Sequence, residues 1–422
     1  MPVKNRDGEI RNQHIIALTT AMLLYFPPIS LFVNLICLLI FRRFVSFDSI
    51  VLYSILLFFV IWSLCISLEK IKLTTIAIPA FMLLAFFISY AVHIDLRIYM
   101  FTDWLDLAGN KTYWLFINSL PALLLIRRIW NYEILFKYLR IFSLISIAAS
   151  IGTFIVYLSV NSQPGYMSFS YDLLMSVIWM WFAFFKGKRF LALFGAIVGS
   201  LLMFFCGARG PILCLVVAIV LYVLFMTDEQ TVKVLLILAT VFAVLLVLAF
   251  WEPLLNLLSQ VAESIGVESR IVEKMRDGTL TDDSGRGEVR DQLLSQLRLF
   301  GYGLYGDRGI TEGRYAHNFF LEIMVQYGLL VGSAIVIYIV ILILAGFFTK
   351  DRDKKILFIA FFSASVIKLM MSSSYLSKEP ALYSMFGICI SCYFKDDIVP
   401  KEAKQRMRVV PAIELKRMSK RY

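Results

Sequence analysis

Apolar runs as long as a bilayer is thick recur from one end of this chain to the other. They leave few folds open. A spanning helix needs about 20 mostly apolar residues, and only helices and closed barrels satisfy their backbone hydrogen bonds in hydrocarbon. The runs here are continuous rather than alternating, which excludes a transmembrane barrel. Composition agrees: 60% of the 422 residues are hydrophobic and only 17% are charged, against about 25% charged in a soluble domain. A single water-soluble unit, a disordered chain and a coiled coil are thereby excluded. The expected fold class is an all-α membrane protein with about twelve transmembrane helices and one large, partly helical extracytoplasmic loop.

The expected spans fall near 14–41, 49–68, 72–92, 112–126, 140–160, 167–185, 189–206, 211–226, 232–250, 327–348, 356–373 and 380–394. Pro27-Pro28 divides the first. Proline removes a backbone donor and clashes with the preceding turn, so that segment reads either as one kinked helix or as a short hairpin. Four regions follow: N-terminal transmembrane helices (1–250), a large extracytoplasmic loop (251–318), C-terminal transmembrane helices (319–394) and a basic cytoplasmic tail (395–422). Lys4, Arg6 and Arg11 precede the first apolar stretch, and no small-residue cleavage site follows. An uncleaved first span is expected.

The formal net charge of +11 is explained by topology rather than by nucleic-acid binding. Basic residues collect on the cytoplasmic side of short loops. The span order puts Arg127, Arg128, Lys137 and Arg140 on one face with Lys186, Lys188 and Arg189, with Lys350, Arg352, Lys354 and Lys355, and with both termini. Arg42 and Arg43 fall on the other face, where the rule does not want them. Residues 251–318 also fall there; long loops translocate regardless of charge. Within that loop, helical apolar spacing is expected from Leu254 to Ile265 and from Val289 to Phe300, with turns at Thr279–Gly287 and Gly301–Gly313. All six cysteines lie in or beside apolar segments; Cys389 and Cys392 form a lone C-x-x-C and read as small buried residues. Neither a disulfide framework nor a zinc site is expected.

Few residues can carry chemistry. Of three histidines, only His317 lies where the loop meets a membrane-entering helix, followed by Asn318. Histidine can accept a proton near neutral pH; on spacing alone, a histidine that orients the helix is the commoner case. Arg209 sits in a Cys-Gly-Ala-Arg-Gly-Pro break, residues 206–211, between two apolar spans. An arginine so close to hydrocarbon is costly unless it snorkels or meets an anion, and the glycines let the backbone approach a ligand. The two readings weigh about equally.

Arg286 and Arg290 are four apart at the start of the amphipathic run, with Asp283, Ser284 or Gly285 as N-cap. A helix start attracts phosphate, and guanidinium forks bind its oxygens bidentately. A solvated helix with surface ion pairs is the commoner outcome for such a charge run. Arg276, Arg308 and Arg314 draw weaker attention on the same grounds. No acidic or histidine spacing suits a metal, and there is no nucleotide loop, dinucleotide fingerprint or nucleophile elbow. No metal and no cofactor are expected.

The order of motifs then matches a known group. A Gly-x-Arg-Gly-Pro turn at Gly207–Pro211 is followed by Ser-Gly-Arg-Gly-Glu at Ser284–Glu288. Ala-His-Asn-Phe-Phe-Leu-Glu at Ala316–Glu322 and Gly-Leu-Leu at Gly328–Leu330 complete it. This resembles the O-antigen ligase and O-antigen polymerase superfamily of polytopic bacterial membrane glycosyltransferases, over roughly Cys206 to Leu330. The resemblance implies a metal-independent enzyme that takes a glycan from undecaprenyl diphosphate on the outer face of the plasma membrane. It implies that Arg209 and Arg286 hold the diphosphate and that His317 is the base for the acceptor hydroxyl. Arg290 and Asn318 complete the candidate binding set. The implied partners are the undecaprenyl-diphosphate-linked oligosaccharide, membrane lipids, a flippase and a chain-length regulator, with no nucleic acid. Of the two activities, repeat-unit polymerisation of O-antigen or capsule is preferred to ligation onto lipid A core, because the matched region is sparse and the rest carries no further signature. Two readings from other classes stay open: a transporter of lipid-linked oligosaccharide or small anions, though no repeat relates the two halves, and a structural or regulatory subunit whose loop binds a partner.

Overall fold

The computed structural model describes residues 3–41, 46–67, 73–101, 114–159, 166–187, 189–205, 209–228, 230–231, 233–234, 260 and 285–394. All regular structure among them is helical. In chain order the helices are α1 (Val3–Phe41), α2 (Ser46–Ser67), α3 (Leu73–Val92), the short α4 (Arg97–Phe101) and α5 (Leu120–Ile126), which is entered through a π turn at Leu115–Ser119. Then come α6 (Tyr132–Ser159), α7 (Tyr166–Gly187), α8 (Phe190–Phe205) and α9 (Arg209–Met226). Within residues 251–318 come α10 (Arg286–Ser295) and α11 (Gly306–Ile310), followed by α12 (Phe319–Phe347), α13 (Arg352–Phe362), which leaves through a π turn at Ser363–Ile367, and α14 (Pro380–Tyr393).

Six stretches among these are long and apolar enough to cross a bilayer: Gly8–Cys37, Leu73–Val92, Tyr132–Tyr157, Met167–Gly187, Arg209–Met226 and Phe319–Phe347. Four shorter apolar helices, Val51–Ser67, Leu115–Ile126, Phe190–Phe204 and Pro380–Tyr393, fall on four more of the expected spans. The described residues thus support six spans by length, not twelve. The expected span at 232–250, apart from Lys233 and Val234, and the expected cytoplasmic tail lie outside the described residues, as do the expected loop helix from Leu254 to Ile265, apart from Gln260, and the turn up to Ser284.

Pro27-Pro28 does not make a hairpin. Both prolines sit inside the single helix α1. Pro27 brings no N–H to the Leu23 carbonyl, four residues earlier. The Asn118 side-chain amide donates to that carbonyl at 3.1 Å, and the Ser30 hydroxyl donates to the Pro27 carbonyl at 2.9 Å. An unpaired carbonyl in hydrocarbon costs about several kcal/mol, so a residue on a distant segment supplies the donor that Pro27 lacks.

α1 packs against α6 and α2, α7 lies against α6, α8 and α9, and α14 is enclosed by α5, α12 and α13. α14 is buried along nearly its whole length. By contrast, Phe87 on α3 and Phe190 on α8 are 62% and 80% exposed. Apolar surface of that kind is stable where lipid replaces water.

The loop locks into α12. Gly328 breaks α12 with φ of 78°, and the chain at 298–303 fills the break. Tyr302 and Gly303 donate their amides to the Val325 and Gln326 carbonyls at 3.1 and 3.0 Å, and Leu329 donates to Arg298 at 2.9 Å. Gly301 lies so close that a Cβ there would fall on the Gln326 carbonyl. The stretch Gly301–Gly313 is therefore more ordered than the turns expected of it, and it contains α11. α10 starts after Gly285, whose φ of 79° suits glycine, and ends at Ser295, short of the expected Phe300.

Candidate active site

Asn318 sets the geometry around His317. Its side-chain oxygen accepts from the Phe320 and Leu321 amides at 3.1 and 3.0 Å, capping α12. Such a cap stabilises a helix by about 1 kcal/mol. The chain entering this cap holds His317 at φ of 51°, a left-handed conformation that non-glycine residues seldom adopt. Residues held this way cluster at functional sites. The imidazole lies against the Tyr315 ring, centroid to centroid 4.0 Å. Its Nδ1 is buried without a hydrogen-bond partner among the described residues. Burial first, then the Arg286 guanidinium, push the His317 pKa down to about 4, while a backbone hydrogen bond with Met371 opposes them. Near neutral pH the ring is uncharged and keeps a nitrogen able to take a proton.

Arg286 is the first residue of α10, and it lies within electrostatic range of His317. Tyr171, on α7, links them to the turn that carries Arg209. Its hydroxyl stands directly over Gly210, where any Cβ would collide with it, and it lies within electrostatic range of Arg286, Tyr315 and Glu379. Arg209 opens α9 at this point.

The break between α13 and α14 closes the other side. Lys368 pairs with the buried Glu379 at 2.5 Å, and Ser373 donates to the same carboxylate at 2.7 Å. The Lys368 ammonium lies 5.4 Å from the Tyr171 ring centroid. Lys378 lies 5.4 Å from the Trp114 ring and interacts with both Lys368 and Asp172. These residues were not singled out from the sequence. A signal was present: Asp172 and Lys368 fall inside expected spans, and an ionisable residue at membrane depth is a functional-site hypothesis by default.

Behind His317, a buried polar network ties the loop to α12. Asp307 on α11 is fully buried; one carboxylate oxygen accepts from the Ala316 amide at 3.3 Å, the other from the Gln326 side chain at 2.8 Å. The same Gln326 amide group donates to Glu322 at 3.3 Å, Ser374 also donates to Glu322, and Tyr375 donates to the Gln326 carbonyl oxygen at 2.5 Å. Burial holds the Asp307 carboxyl above its ordinary range, although Arg308, Gln326 and Ala316 pull it down. Fully satisfied networks of this kind rigidify what they hold, here the residue next to His317.

The expected site residues therefore separate. Arg286 lies within electrostatic range of both His317 and Tyr171, and the Tyr171 hydroxyl lies against Gly210, next to Arg209. Arg290 stays exposed and pairs with its neighbour Asp291 at 3.2 Å, so helical spacing from Arg286 did not carry it to the histidine. Asn318 spends its side-chain oxygen on the cap. Arg308 is buried over the Tyr305 ring at 4.6 Å, Arg314 is exposed, and Arg276 lies outside the described residues. No three His, Cys, Asp or Glu side chains gather into a metal site among the described residues.

An uncharged base beside a fixed cation can deprotonate a hydroxyl and stabilise an anionic leaving group. A family model described as O-antigen ligase matches residues 194–336. That stretch runs from α8 into α12 and contains Arg209, Arg286 and His317. No curated protein and no solved structure matches the chain. Over that third of its length, this helical chain with several bilayer-length apolar helices is similar to the O-antigen ligase family, which supports the ligase and polymerase superfamily that its motifs resemble.

Proposed function

We propose that the protein is a polysaccharide polymerase. It transfers an O-antigen or capsule glycan from undecaprenyl diphosphate to the hydroxyl of a second lipid-linked unit, on the outer face of the bacterial plasma membrane. The observation that carries this reading is the His317 imidazole, held in a left-handed backbone conformation against the Tyr315 ring at the start of α12 and within electrostatic range of Arg286. In the proposed step the acceptor hydroxyl gives its proton to His317 as its oxygen bonds to the anomeric carbon. The bond from that carbon to the diphosphate breaks, and the lipid diphosphate leaves with the electron pair. Arg286 and Arg209 hold the negative charge that builds on it, an interaction strongest in the transition state. The reaction as proposed uses no metal. Both termini lie in the cytoplasm, and a flippase and a chain-length regulator act alongside.

Ligation to lipid A core is the second reading, favoured by the description of the matching family. Polymerisation draws support from the confinement of the match to residues 194–336. Arg286→Ala and Arg209→Ala are expected to lower long-chain product by on the order of 100-fold each, and His317→Ala by about 100-fold or more, with membrane insertion unchanged. Ordinary chain-length ladders from all three variants overturn the proposal. In a deletion strain, long glycan still made on the lipid carrier but missing from lipid A core identifies a ligase; loss from both pools identifies a polymerase.

A further inference from the structure

A second site lies at the far end of α7. Tyr171 belongs to the His317 end, whereas Lys186 is fifteen residues further along the same helix, about 22 Å at 1.5 Å per residue. There α6, α7, Arg189 just before α8, and α13 line a cavity of about 420 Å³. Its walls carry Lys137, Arg140, Lys186 and Arg189 against one carboxylate, Glu133. Lys186 has an outside partner in Asp353 at 3.4 Å, but that pair is exposed and weak for that reason. Trp179 also lines the cavity. A cavity walled by four cations and one carboxylate suits an anionic ligand.

The surface beside the cavity indicates the rest of that ligand. Arg189 is followed at once by Phe190 and Leu191, and a turn later by Phe194, which are 80%, 58% and 56% exposed. Arg140 is followed by Ile141 and, a turn later, by Ile145, both exposed. Cationic cavity and lipid-facing apolar surface are thus continuous along two helices. From these features we infer that the cavity binds an anionic phospholipid, with its phosphate among Arg140, Lys137 and Arg189 and its acyl chains along α8 and α6. A soluble phosphate fits the cations but gains nothing from the apolar surface. This inference is independent of the reading of the His317 site.

The test uses purified full-length protein and native mass spectrometry, with phosphatidylglycerol, phosphatidylcholine and inorganic phosphate as probes. Each cation near an anionic headgroup contributes roughly fivefold in affinity. Lys137→Gln/Arg140→Gln/Arg189→Gln is therefore expected to weaken phosphatidylglycerol binding by on the order of 100-fold. Lys355→Gln, a cation at the same end but outside the cavity, is expected to change it less than about twofold. Arg140→Lys/Arg189→Lys, which keeps the charge, is expected to retain most of the binding and shows that the glutamine variant failed through charge rather than misfolding. Equal binding of phosphatidylglycerol and phosphatidylcholine overturns the inference. So does unchanged binding by the glutamine variant, or inorganic phosphate displacing the lipid at matched concentration.

Discussion

At His317, burial and the Arg286 guanidinium act in the same direction, and both resist a positive imidazole. The unfolded chain has neither, so its histidine protonates near 6.5. As pH falls from 6.5 towards 4, the unfolded state binds a proton that the folded site refuses, and this residue's contribution to stability is lost over that window. Histidine-labelled protein in lipid nanodiscs, titrated by NMR and assigned with His317→Asn, is expected to show one ring with a midpoint near 4. In Arg286→Gln the midpoint rises yet stays below 6.5, because burial remains. A midpoint that does not move separates the two side chains and removes the basis of the site. Arg286 and His317 could be singled out in the sequence because each stands in a polar stretch beside an apolar run and within a motif of the family that the chain resembles. Tyr171 and Glu379 were not, because nothing local distinguishes them from other interfacial residues; only the fold brings them to the Arg209 turn and to Lys368. Arg290 shows the converse. Helical spacing says which residues share a face, but not which of them ends against the protein.

The joint between the loop and α12 rests on two glycines, Gly301 and Gly328, packed backbone to backbone. Gly301→Ala sets a methyl against the Gln326 carbonyl, whose partner in the joint is the Gly303 amide. A clash with backbone cannot be relieved by a rotamer change, so the cost is expected to be about 2 kcal/mol or more. Limited proteolysis is expected to cut the variant near 298–303 well before the parent protein, while α1 and α6 stay intact. Equal protection overturns the account of the joint. The position of α12 was legible from its apolar run, but the break at Gly328 was not, since a single glycine is tolerated in a helix. α1 is the reverse case. Pro27-Pro28 announced a break, and Asn118 mends it from 95 residues away, a partner no local pattern can name.

Across the whole molecule, the His317 site and the cationic cavity occupy opposite ends of α7, which fixes what sidedness the proposed function requires. In a cysteine-free background, Arg290→Cys is expected to react with a membrane-impermeant thiol reagent in intact cells, and Lys350→Cys only after permeabilisation. Both positions are exposed, so reactivity reports side rather than burial. Labelling of both from the same side contradicts the proposed topology. The general architecture was legible because bilayer-length apolar runs dictate helices; the π turns at Leu115–Ser119 and Ser363–Ile367 were not, since no local pattern announces them. The mended carbonyl of Leu23 also has a temporal side. At about 5–20 residues per second, a ribosome needs roughly 5–20 s to deliver Asn118 after Leu23 has emerged. During that interval the nascent first helix must keep water, or the insertion machinery, against its proline pair.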